Sequence, residues 1–271
     1  MTSFALCQIP VSSDPRINLD RAVSAIRKAA TGGADVAVLP EASLTCFGPK
    51  LREAAEPLDG PFVTGLANAA RIHGIGVIAG VFEPAPDGRV YNTAVVLDAA
   101  GRVAATYRKI HLFDSFGQRE SDVVAPGDAV RVAELAGLRV GLVTCYDIRF
   151  PELTRALVEA GAEVLVVIAA WGSGVFKEEH WTTLVRARAI ENTCWVVAVD
   201  QSPGPDSPFG VGRSMLVDPL GVVRADLGPH PGVHVGEIDP EVTREVRALL
   251  PSLQHRRLTG LGRETPVSFP G

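Results

Sequence analysis

Short, wholly apolar runs set between segments of helical period constrain this chain more than any other feature. Val36-Ala-Val-Leu39 has no polar position on either face, and 138–144 and 164–168 are further apolar strands. A strand without a polar face must be covered on both sides, the condition of a parallel strand between helices. Helical patterns lie between these runs: 18–30, with Leu19, Ala22, Val23 and Ile26 on one face and Gly32-Gly33 as its stop, then 61–72, 151–160 and 178–191. Further strands are expected at 4–9, 74–81, 195–199, 213–217, 221–225 and 233–238, a hairpin at 90–107, and a last helix at 240–249. This order predicts an α/β fold with a mixed sheet.

No linker interrupts the alternation, so residues 1–249 of the 271 are expected to form a single domain, followed by a Pro-, Gly- and Arg-rich tail, 250–271, that adds no core and is either disordered or crosses a dimer interface. No internal repeat is visible in the residues. A net charge of -5 offers nothing to phosphate backbones or anionic membranes, so no nucleic-acid or membrane partner is expected. The start lacks the pattern of a signal peptide and no apolar run approaches the roughly 18 residues of a bilayer span, which points to a cytoplasmic location. The cysteines Cys7, Cys46, Cys145 and Cys194 show no C-x-x-C spacing and are expected to be reduced. With no H-E-x-x-H, no cysteine–histidine cluster and no phosphate-binding loop, neither a metal nor another cofactor is expected.

In open α/β sheets functional groups gather just beyond the ends of buried strands. Three reactive types stand there: Glu41 after 36–39, Lys109 after the hairpin, and Cys145 after 138–144. Each alone has an ordinary reading, as a capping acid, a solvated lysine and an inert buried thiol. Together they carry the parts of acyl transfer: a nucleophile, a base to deprotonate it, and a cation for the oxyanion. A cysteine–histidine pair using His111 or His180 is the rival arrangement. The irregular stretch 108–128 is long for a compact domain, as functional loops often are.

Four separated motifs resemble the carbon–nitrogen hydrolase (nitrilase) superfamily: Leu39-Pro-Glu41, the run from Tyr107 through Lys109 and His111 to Asp114, Glu120-Ser121 with Pro126-Gly127, and the run from Thr144 through Cys145, Tyr146, Asp147 and Arg149 to Leu153. His180-Trp181 and 186–192 extend the likeness over roughly residues 4–245. Within the superfamily the chain looks most like the Nit-type ω-amidase and deaminated-glutathione-amidase branch. The resemblance implies a four-layer α-β-β-α sandwich assembled as a homodimer. It also implies Glu41 as general base, Lys109 as oxyanion cation, Cys145 as nucleophile and Glu120 as a second, positioning glutamate, with the backbone N–H of Tyr146 sharing the oxyanion. One departure stands out: only Ser-Phe-Gly-Gln-Arg separates Asp114 from Glu120, fewer residues than in many Nit-type relatives.

The function expected on this basis is hydrolysis of a small linear ω-amide to carboxylate and ammonia through a Cys145 thioester. An N-carbamoyl amide hydrolase or an aliphatic nitrilase would use the same residues, and a catalytically retired interaction protein is the reading from another class. A low-pKa, selectively alkylated Cys145 is expected of the enzyme and an inert thiol of the retired protein. For an acid-bearing substrate, Arg149 is the first candidate to hold the carboxylate, with a structural ion pair to Asp147 or Glu152 as its alternative role; Arg186 and Arg188 come after it. Trp171 and Phe116 are candidates for the pocket wall.

Overall fold

The computed structural model describes residues 1–204 and 209–258. In the first half of the chain, β1 (Thr2–Gln8), α1 (Pro15–Thr31), β2 (Val36–Val38), α2 (Leu51–Ala54), α3 (Pro61–His73), β3 (Gly76–Pro84), β4 (Val90–Leu97), β5 (Val103–Arg108) and β6 (Val124–Ala125) follow one another. In the second, β7 (Val132–Leu135), β8 (Leu138–Thr144), α4 (Pro151–Glu159), β9 (Val164–Ala169), α5 (Lys177–Asn192), β10 (Trp195–Asp200), β11 (Met215–Val217), β12 (Val223–Asp226), β13 (Gly232–Ile238) and α6 (Pro240–Leu249) complete it. One sheet has the order β13-β1-β2-β3-β4-β5, with β6 beside β4, and the other β12-β11-β10-β9-β8-β7.

The period-2 alternation of the strands builds the layers. On β1, Phe4 and Leu6 face the opposite sheet while Ala5 and Cys7 face helices; on the other sheet, Leu142, Val166 and Val197 face inward and Val143, Val167 and Ala198 outward. Ala22, Ile26, Leu66 and Ala70 of α1 and α3 cover one sheet, and Leu157, Trp181 and Val185 of α4 and α5 the other. Three apolar layers thus separate four structural ones, α-β-β-α. The parallel trios β1-β2-β3 and β8-β9-β10 are buried on both faces, which is why their sequences are near-continuously apolar.

The residues show no internal repeat, yet the two sheets share a strand order. Each has a parallel trio, two antiparallel strands beyond its third member (β4-β5 and β11-β12), and one antiparallel strand beside its first (β13 and β7). Packing preserves such an arrangement through pattern rather than identity. Within the stretch read as irregular, 108–128, the chain forms a single 3-10 turn at Glu120–Asp122 and then β6. The short β7 was likewise not expected. The tail reading needs amendment: Leu253 packs against the α4–α5 layer and Arg256 pairs with Glu159, so its first residues do add to the core. The rest of the tail expectation falls on 259–271, outside the described residues. Among the described residues no helix is long and apolar enough to cross a membrane.

Candidate active site

The ends of β2, β5, β8 and β9 converge between the two sheets. Beyond β2 the chain turns at Ala42, in the left-handed region at φ 58°, with the Ser43 hydroxyl donating to the Pro40 carbonyl at 2.7 Å. This turn packs onto β3 at Gly80, where a Cβ would lie 2.5 Å from the Cα of Glu41; only glycine permits that approach. Gln201 Nε2 holds the Glu41 carbonyl from the other sheet at 2.9 Å. Lys109, just past β5, donates its N–H to Asn92 O, and its carbonyl accepts from Gly127 N, both at 2.8 Å. Cys145 follows β8 at φ 49° and opens a 3-10 turn into α4. A side chain held there costs of order 1–3 kcal/mol and persists only where its surroundings fix it, a common condition at reactive sites.

Asp147 does the fixing. Its carboxylate accepts from Thr144 N (3.1 Å), Tyr107 Oη (2.7 Å), His111 N (3.0 Å) and lies 2.8 Å from His111 Nδ1, tying the cysteine turn to both sides of Lys109. His111 also stacks on Phe150 at 3.7 Å. His180 Nδ1 lies 3.3 Å from Arg149. Neither histidine lines the cavity that holds Cys145, so the cysteine–histidine arrangement has no geometry behind it.

The structure brings Glu41, Lys109, Glu120 and Cys145 together. Lys109 Nζ donates to Glu41 Oε1 at 3.0 Å and to Glu120 Oε1 and Oε2 at 3.1 and 2.9 Å. Asn92 Nδ2 bridges the same carboxylates at 2.7 and 3.2 Å. The remaining oxygen, Glu41 Oε2, accepts from Ala170 N, and Glu120 Oε2 accepts also from Phe113 N, each at 2.7 Å. Glu120 is in place despite the short 115–119 loop, because Phe116 and Gly117 both adopt left-handed conformations and turn it tightly.

Two carboxylates and one ammonium leave this buried cluster a formal charge of −1. Burial opposes the charge on Lys109, but Glu120 and Glu41 more than offset it and hold its pKa well above the usual lysine value. A thiolate would be a third negative charge, so burial first, and then the Glu41 charge, push the Cys145 thiol well up against the pull of Lys109. The direction is opposite to a low-pKa thiol: Cys145 is held well above the usual thiol value in the cavity that it shares with Glu41. The three protons of the ammonium face three carboxylate oxygens, Glu41 Oε1 and both oxygens of Glu120.

A cavity of about 510 Å³ opens from this cluster. Tyr146, Trp171 and Phe116 line it, Trp171 being buried and Phe116 77% exposed. Arg149 does not line it, and it pairs with neither Asp147 nor Glu152; it lies over the Trp171 ring at 5.0 Å. Arg186 and Arg188 are spent on the Gly221 and Ile148 carbonyls. Sequence reasoning missed Asn92, Lys177 and Asp200. Lys177, at the first position of α5, lines the cavity. Asp200, fully buried at the end of β10, accepts from Trp171 N and Val211 N at 2.8 Å and so fixes the chain beside Ala170. Asp200 closes an apolar strand with a lone carboxylate, which is itself a signal in the sequence.

A four-layer α/β fold with a thiol, two carboxylates and an ammonium at its strand ends defines a class of protein, the thiol hydrolases of carbon–nitrogen bonds. Comparison with known proteins agrees with that class: residues 3–248 match the carbon-nitrogen hydrolase model, and the chain belongs to that family. It is 42% identical over 268 residues to a hydrolase of Mycobacterium tuberculosis, spanning 93% of this chain and 95% of the relative. It is 37% identical over 254 residues to the deaminated glutathione amidase of Escherichia coli O157:H7, spanning 92% and 95%. Saccharomyces cerevisiae Nit3, a member of branch 10 of the nitrilase superfamily, superposes with a TM-score of 0.86 at 28% identity over 95% of this chain and 97% of its own. A mutant of the amidase from Nesterenkonia sp. AN1, with acrylamide added at its active-site cysteine, does so with a TM-score of 0.79 at 26% identity over 94% and 100%. The protein is thus an amidase-type enzyme acting on C–N bonds.

Proposed function

We propose that the protein hydrolyses a linear amide of a carboxylic acid through a thioester on Cys145. The convergence of Cys145, Glu41, Lys109 and Glu120 on one cavity, with the Lys109 ammonium 3.0 Å from Glu41, is the observation that carries this reading. As Cys145 Sγ bonds the amide carbon, its proton passes to Glu41 and the carbonyl electron pair moves onto oxygen, which Lys109 and the N–H of Tyr146 bind. Collapse of the tetrahedral adduct expels the amine or ammonia, which takes the proton from Glu41. Water then attacks the thioester and gives a proton to Glu41; the second adduct expels the thiolate, which recovers that proton as the acid leaves.

Glu120 has every oxygen engaged and serves to hold Lys109. The relatives named deaminated glutathione amidase and the size of the cavity favour an acyl or amine portion longer than the smallest ω-amides. The test is release of acid and amine by purified protein from ω-amides, deaminated glutathione, N-carbamoyl amino acids and aliphatic nitriles, with Cys145→Ala alongside. Turnover of an amide lost in that variant is the expected result. Carbon dioxide release, nitrile turnover, or no turnover at all would replace it with the carbamoyl, nitrile or retired reading respectively.

A further inference from the structure

We propose that Lys177 is the distal anchor of the substrate site, binding a carboxylate carried at the far end of the amide substrate. This deepens the amidase reading and rests on it. Lys177, Lys109 and Arg119 are the cations that line the cavity. Lys109 is consumed at the deep end by Glu41 and Glu120, and Arg119 lies 3.4 Å from Asp122. Lys177 pairs with no carboxylate among the described residues. Its ammonium instead sits over the rings of Phe116 at 4.2 Å, Phe113 at 4.8 Å and Trp171 at 5.8 Å. Ring faces hold a cation in place while leaving its protons for an anion, which a salt bridge would not do.

Two local conflicts indicate that this position serves something other than stability. Lys177 stands at the first residue of α5, where the helix dipole favours an anion, and the residue before it, Phe176, adopts a left-handed conformation at φ 58° without any side-chain cap. Departures of this kind are expected where function dictates the residue. Burial and the Arg149 charge lower the Lys177 pKa, so an incoming carboxylate relieves a repulsion already present. Arg149 lies over the Trp171 ring at 5.0 Å and does not itself line the cavity.

The chemical class follows: an amide whose acyl or amine arm ends in a carboxylate, placed across the cavity from the thiol. The test compares kcat/KM for glutaramate and adipamate with that for pentanamide and hexanamide, in which a methyl group replaces the carboxylate. Lys177→Gln should reduce the acid-to-neutral ratio about tenfold or more, the worth of one charged hydrogen bond. Lys177→Arg should retain most of it, and Lys177→Glu should invert it toward 5-aminopentanamide. An acid-to-neutral ratio within about twofold of the wild type in both Lys177→Gln and Lys177→Glu overturns the assignment. Calorimetric binding of glutarate provides an arm without turnover. If the wild type hydrolyses none of the amides yet Lys177→Gln loses glutarate binding, the anchor stands and the proposed reaction falls; if glutarate binding is also unaltered, both fall.

Discussion

At the deep end of the cavity Glu41, Lys109 and Glu120 are between 0 and 8% exposed, and every carboxylate oxygen there has a partner within 3.2 Å. At the mouth Phe116 is 77% exposed, and Lys177 is held by ring faces alone. Moving a buried ion away from its partners costs several kcal/mol, whereas re-posing an exposed aromatic costs about 1 kcal/mol or less. The deep end therefore has one arrangement and the mouth several. A site divided in this way keeps its reaction constant while the choice of substrate is free to change, and substitutions at the two ends should separate into effects on kcat and on KM.

The largest effect belongs to Cys145→Ala, which should abolish turnover and leave a folded protein, read by acid release and circular dichroism. Glu41→Gln should lower kcat by about 10²–10⁴ and at the same time speed alkylation of Cys145 by iodoacetamide at fixed pH. The sign follows from the charges: Glu41 raises the thiol pKa, so removing its charge leaves Lys109 to favour the thiolate and shifts the alkylation profile to lower pH. In the wild type that rate should keep rising into the alkaline range. Cys7 and Cys194, buried and pushed up to about 12, should remain unlabelled until the protein unfolds. A Glu41→Gln protein that alkylates more slowly than wild type would contradict this account of the deep end.

Gly80→Ala tests whether the deep end is rigid. Its new Cβ would lie 2.5 Å from Glu41 Cα and 2.7 Å from Ala42 N, backbone atoms with no rotamer to yield. Overpacking of about 1–3 kcal/mol should lower Tm by about 2–12 °C, and displacement of Glu41 should cost on the order of 10²-fold in kcat. Asn92→Ala comes next, with a loss of about tenfold in kcat, since both carboxylates lose a donor at a cost of about 1–3 kcal/mol. Full activity in Gly80→Ala would mean that the deep end can shift after all.

The same division governs how much could be read from the sequence. The strands and helices carrying Glu41, Lys109 and Cys145 are periodic, and their order alone placed these three residues at strand ends. Glu120 needed the family resemblance, because nothing local in 115–121 indicates that a left-handed pair at Phe116 and Gly117 swings it onto Lys109. Asn92 was hidden inside an apolar hairpin strand, where a lone amide reads as a satisfied core residue until its partners from two other segments are known. Arg149 was chosen for its nearness in sequence to Cys145, but the 3-10 turn carries it out of the cavity. Lys177 lies 32 residues beyond Cys145 and arrives only through the crossing of α5. Pattern encodes elements; the long-range convergence of side chains is set by packing.

Phe116→Ala carries the smallest expected effect and bears most directly on the mouth. The ring is mostly solvent-exposed, so its loss should leave Tm within about 2 °C of wild type. It covers the Lys177 ammonium at 4.2 Å, and an exposed contact of this type is worth about 0.5–1 kcal/mol. KM for an acid-bearing amide should therefore rise about two- to fivefold, with kcat held within about twofold and KM for the matching neutral amide moving less. A fall in kcat of a hundredfold at constant KM would place Phe116 with the reacting groups. The exposed ring would then belong to the chemistry of the deep end, and the separation of reaction from selection along the cavity would not hold.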